Sequence, residues 1–132
     1  MTKREAYLHA GKEAVAAARD LEGGPTYPQA AFYAIHAFEM AGRAYLIDAD
    51  RTPGNTHKRR MRQFGHVAEQ HGMGTGLMQL AARCIHYRER CLYPKERGDG
   101  TWSAPRQAID AQTASSLVAR VGGVVQLVER RR

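Results

Sequence analysis

Residues 77–94 read LMQLAARCIHYRERCLYP, and at about 100° per residue Leu77, Leu80, Ala81, Cys84, Arg88 and Cys91 share one stripe of a helix. An arginine therefore occupies a position that the pattern reserves for an apolar side chain. Its guanidinium keeps its charge in proteins, and burying it unpaired costs several kcal/mol. Arg88 must meet an acid, an anion or a wet cleft. Glu39 is one candidate acid; a groove or a dimer interface is the other setting, and the two are compatible, because an ion pair leaves further donors free for a phosphate. Arg83, Tyr87 and Arg90 flank the stripe, an aromatic between two cations, an arrangement that suits a base stacked beside a phosphate or the polar rim of an interface. Tyr93, before Pro94, either covers the core at the helix end or belongs to the site.

Three further groups could do chemistry. His36, Glu39 and Arg43 are spaced by three and four residues and form a polar ridge, readable as a Glu39–Arg43 pair with an incidental histidine or as support for a site. His57 lies on a helical stripe with Met61, Phe64 and Ala68, where it is either a hydrogen-bonded core histidine or a proton carrier. Lys58, Arg59, Arg60 and Arg62 put four cations into five residues, a solvated face or a set of phosphate contacts, with Lys58 and Arg62 the candidates for RNA. His86 points away from the stripe, toward solvent. Cys84 and Cys91, the only cysteines, are seven residues apart on one face, which sets their α-carbons roughly 10 Å apart, too far for a disulfide. They read as reduced core thiols. Neither they nor the scattered histidines match a metal-ligand spacing, so no metal and no cofactor is expected.

Five helices are expected to hold these groups. Thr2 and Glu5 make a capping box for a first helix with Tyr7, Gly11, Ala14, Ala18 and Leu21 on its inner face, ending near Asp20 before Gly23, Gly24 and Pro25. A second helix starts at Tyr27 or Pro28, capped by Thr26, and runs to about Ile47. It is apolar around most of its circumference, as a central helix should be. Residues 48–56 form a turn, and Thr56 caps a third helix from His57 to about His71. After three glycines the fourth helix carries Arg88 and closes at Pro94; 94–101 is a charged, flexible loop. A last helix, opened by Ser103 and Pro105, keeps Ala114, Val118, Val121, Val125 and Val128 on one face. Gly122 and Gly123 within it permit close approach or a kink.

With 132 residues, 43% of them hydrophobic and alanine abundant, the chain is read as one all-α domain over 1–132, an antiparallel up-and-down bundle without a sheet. The formal net charge of +7 favours a polyanionic partner. No apolar run reaches the ~20 residues of a membrane span, and the first residues lack the apolar centre of a signal peptide, so a cytoplasmic protein is expected.

The second-helix segment AFYAIHAFEMAGRAYLI, the third-helix opening THKRRMRQFGH and the fourth-helix end RERCLYP together resemble the HEPN family, small helical bundles found alone, beside minimal nucleotidyltransferases and inside larger antiviral nucleases. In its nuclease members an arginine is followed four to six residues later by a histidine, and two copies meet across a homodimer as a metal-independent RNA-cleaving site. Arg88 matches that arginine. Tyr93 stands where the histidine would, as in the variant subgroup with arginine, four residues and then tyrosine. A phenol with a pKa near 10 is a poor base without help, so the resemblance implies RNA or nucleotide binding first and weak or lost ribonuclease activity second, in a prokaryotic defence or toxin–antitoxin type system. Arg88 would stabilise the developing charge, with Tyr93 or His57 carrying the proton. The alternative is a non-enzymatic module that docks a nucleotidyltransferase-type partner, or a scaffold dimer with a degenerate pocket.

Overall fold

In the computed structural model, which describes residues 1–131, the chain is predominantly helical; Arg132, the end of the basic tail, lies outside the described residues. Helix α1 spans Lys3–Leu21, α2 Tyr27–Asp48, α3 His57–Gln70 and α4 Leu77–Arg88, followed by strands β1 Lys95–Glu96 and β2 Trp102–Ser103, a short α5 Pro105–Ala108, and α6 Ala111–Arg130. Among the described residues, no helix is long and apolar enough to cross a membrane.

The caps explain where most helices begin. Thr2 Oγ1 accepts from the Glu5 amide at 3.1 Å while Glu5 accepts from the Thr2 amide at 3.0 Å, the reciprocal box expected there. Thr56 Oγ1 accepts from the Arg59 amide at 3.1 Å. Thr26, in contrast, makes no side-chain cap; only its carbonyl is engaged, by the amides of Gln29 and Ala30, and Pro28 presets the first turn.

Helix α2 is the centre of the molecule and packs against α1, α3, α4 and α6. Its alanines 30, 31, 34, 37, 41 and 44 are essentially inaccessible, and side chains this small let neighbouring helices approach on several sides. Phe64 of α3 fills the gap against Phe38 and Tyr45 of α2, with ring centroids 5.0 and 5.6 Å away. Each such aromatic contributes about 1.5–3 kcal/mol by leaving water. Arg4 joins three helices by pairing with Asp48 and donating to the carbonyls of Val128 and Arg131.

Four sequence expectations need correction. The segment 94–101 is not a flexible loop: it is part of an antiparallel hairpin, with Lys95 opposite Ser103 and Glu96 opposite Trp102. Its turn is held by the Gly100 amide on the Arg97 carbonyl, by Gly100 at φ +85°, and by Asp99, which accepts from the amide and hydroxyl of Thr101. Second, the last helix is broken: Ile109 is extended and buried, and Asp110 starts α6 afresh by accepting from the Thr113 amide at 2.6 Å, which makes six helices rather than five among the described residues. Third, α4 ends at Arg88 rather than at Pro94, although the Cys91 amide still reaches the Tyr87 carbonyl and Cys91 stays buried. Fourth, on α1 Leu8 and Val15 are buried with Gly11, Ala14 and Ala18, while Tyr7 and Leu21 are only half-buried. The five α6 residues assigned to one inner face are all buried there.

Candidate phosphate-binding cleft

Glu39 is the one buried charged side chain among the described residues, 4% exposed at the middle of α2. Two groups from the first turn of α3 meet its oxygens. His57 Nδ1 lies 2.5 Å from one carboxylate oxygen, and Arg60 Nε donates to the other at 3.0 Å. Arg60 also donates to the Gly54 carbonyl at 3.2 Å, which fixes its plane. His57 and Arg60 are three residues apart and so project from the same side of α3; Thr56, by capping that helix, sets where they enter.

This arrangement revises four readings. Glu39 is paired neither with Arg43 nor with Arg88, because α3 reaches it first. Arg43 instead lies over the Tyr7 ring, 4.4 Å from its centroid. His57 is not a core residue: its side chain is about half exposed, with only Nδ1 turned inward. Arg60, passed over among four neighbouring cations, points inward, whereas Lys58, Arg59 and Arg62 are exposed as expected.

Arg88 is half-buried beside this cluster, its guanidinium 5.8 Å from the Phe32 ring centroid. No carboxylate among the described residues pairs with it. His36 completes the group. Loss of hydration around its ring pushes its pKa below the ordinary imidazole value; Glu39 acts in the opposite direction, and Arg88 and His57 add to the lowering. His36 is therefore neutral at pH 7, and its neighbours in this field are two cations or proto-cations and one carboxylate.

Outside the cluster is an open cleft of about 370 Å³ lined by Thr56, His57, Lys58, Arg88 and Arg90 together with the apolar Met61 and Ile85. The first turn of α3 forms one wall, so its unpaired amides add partial positive charge there. His86 sits at the edge, packed edge-on against Tyr87 and contacted by Arg90; desolvation, Arg90 and Lys95 hold its pKa low as well. The cleft thus presents three fixed cations, an oriented imidazole and a short apolar floor, with Glu89 as the acid on its rim.

Other sequence candidates lie apart. Tyr93 is 63% exposed and lines a separate hollow with Arg90 and Lys95, so within one chain it does not share the cleft of Arg88. Arg62 borders a third depression beside Lys58, and Arg83 lines none of these. Cys84 and Cys91 are unpaired thiols, pushed up to about 12 by burial. The signal that could have found Arg60 is its spacing from His57: once one faces Glu39, the other must. A comparison with protein-family models finds no match, and one with curated proteins finds none.

Proposed function

We propose that the cleft binds the phosphodiester backbone of RNA, or the phosphates of a nucleotide, and supports slow, metal-independent RNA cleavage. The observation that carries this reading is the part-buried Glu39–His57 contact at the edge of a cleft whose walls hold Arg88, Lys58 and Arg90. A carboxylate that accepts from Nδ1–H leaves Nε2 of neutral His57 as the acceptor, and the half-exposed ring offers it to a ligand. Arg60 donates to the remaining carboxylate oxygen, so the carboxylate that orients the imidazole is itself held in place.

The chemistry that fits is transesterification. The ribose 2′-hydroxyl gives its proton to His57 Nε2, its oxygen bonds to the adjacent phosphorus, and the bond to the 5′ oxygen breaks, leaving a 2′,3′-cyclic phosphate and a 5′-hydroxyl protonated by water. Arg88 is suited to the charge that grows on the phosphoryl oxygens. His36, neutral at pH 7, is a poor proton donor, so one of the two usual proton transfers lacks a side chain and the reaction should be slow.

The HEPN resemblance supports the same substrate class and extends the proposal to a homodimer through α2 and α4 in a prokaryotic defence or toxin–antitoxin type system. Light scattering at micromolar concentration tests the dimer. For the cleft, purified protein is incubated with labelled single-stranded RNA in the presence of chelator. Cleavage to cyclic-phosphate ends is expected, with His57→Ala slower by about 10²–10⁴-fold and Arg88→Ala weaker in binding as well. An absence of RNA binding at low salt sinks the proposal.

A further inference from the structure

The hairpin supplies a feature that the cleft does not use. Trp102 in β2 is 62% exposed and Tyr93, two residues before β1, is 63% exposed, two large aromatic surfaces left in water on the hairpin and its approach. Strand pairing fixes the first of them, because Trp102 lies opposite Glu96 in the ladder. Tyr93 leads into the other strand and lines a hollow of about 240 Å³ with Arg90, Lys95, Pro94 and Glu89. Arg90 and Glu89 also border the larger cleft, so the two separate hollows are divided by these two residues, just past the end of α4. Cations outnumber acids in both. A strand whose phosphate sits at Arg88 and Lys58 therefore has Arg90, Lys95 and the exposed Tyr93 ring next along its path, while the ladder register sets Trp102 on the hairpin face it shares with Glu96, away from Lys95.

We infer that the hairpin is a base-stacking arm that engages unpaired RNA bases beside the phosphate held in the cleft, making single-stranded rather than duplex RNA the ligand. This rests on the RNA reading of the cleft. A base can stack on Trp102 or Tyr93 only if it has left its own helix, and duplex RNA keeps its bases stacked and its deep groove closed to side chains; a single strand pays no such cost and gains stacking on any base.

Trp102 is the only tryptophan in the chain, so its emission reports on its own contacts. The protein is titrated at low salt with oligouridylate of about 12 nucleotides, within the usual site size of single-strand binders, and with a duplex of the same length. Saturable quenching by the single strand and not by the duplex is expected. Trp102→Ala should weaken single-strand binding roughly 5- to 100-fold and Tyr93→Ala by a similar or smaller factor, whereas Trp102→Phe, which keeps a ring, should stay close to the parent. RNA binding with unchanged Trp102 emission and unaltered affinity in Trp102→Ala overturns the arm and leaves the cleft reading standing. Equal quenching by duplex also overturns it. Quenching that survives intact in Arg88→Ala upholds the arm and overturns the cleft, and no RNA binding at all overturns both.

Discussion

One carboxylate decides what the neighbouring side chains can be. Glu39, with almost no access to water, has both of its oxygens met by His57 and Arg60, and removing either partner would leave a buried carboxylate oxygen unpaired, costing several kcal/mol. Arg88 is consequently released from charge pairing and acts on its other neighbour, His36. His36 reaches the surface, and partial loss of hydration around its ring is the main cause of its lowered pKa, with Arg88 a smaller one. When followed by NMR, the His36 imidazole should titrate below 6.5, and in Arg88→Ala it should move part of the way back. The stability consequence has a definite sign. As pH falls through about 6.5, the unfolded chain takes up a proton at His36 that the folded chain refuses, so this residue's contribution weakens on acidification until its folded pKa is reached. A His36 resonance titrating above 6.5 would mean that Glu39, not burial, dominates. The ridge of His36, Glu39 and Arg43 was legible from spacing, but its pairing was not. A helical wheel gives the direction of a side chain without saying which neighbouring helix stands there, and a nearby Arg43 is the default partner until α3 is known to cross at Glu39.

At the scale of elements, two glycines test whether packing or backbone freedom governs stability. A β-carbon at Gly42 would lie 2.7–2.9 Å from three carbons of Phe64, a ring already held by Phe38 and Tyr45. A β-carbon at Gly123 meets nothing within 4 Å, and that residue is exposed in the interior of α6. Helix propensity favours alanine by about 1 kcal/mol at either position. At Gly42 overpacking opposes this with about 1–3 kcal/mol, and Phe64 has no open side to retreat into. Gly123→Ala should therefore raise the urea midpoint and Gly42→Ala lower it; stabilisation by both would show that the Phe64 site yields freely. The same contrast resolves the Gly122, Gly123 pair: Gly122 accommodates Arg19 of α1, whose Nη2 would lie 2.7 Å from an added β-carbon, while Gly123 faces open space. Helix existence and order were legible here because apolar spacing is strong over long segments. The hairpin and the break at Ile109 were not. Strands of two residues are too short to show alternation; Ser103, expected to open the last helix, belongs to β2 instead, and Pro105 opens only the four-residue α5, behind an Ala104 amide that donates to the Gln107 side chain, which hides the stronger start at Asp110, three residues before Thr113.

For the whole molecule, the question is whether its formal net charge of +7 acts diffusely or through one place. Composition makes an all-α basic domain legible but cannot locate its field, since cations scattered over a surface and cations gathered at a cleft have the same sum. Salt dependence separates them. Each phosphate neutralised on a single strand contributes about 0.7 to the slope of log affinity against log salt. The cleft offers Lys58, Arg88 and Arg90, so a slope of about −2 is expected, whereas attraction by the full excess charge would approach about −5. The variants sharpen the comparison. Arg88→Ala should flatten the slope by about 0.7, and Lys3→Ala, an exposed cation in the first turn of α1 that does not line the cleft, should leave it unchanged. Equal effects of the two substitutions would mean that RNA is held by the surface at large, and the oriented His57 would then have no fixed phosphate to act upon.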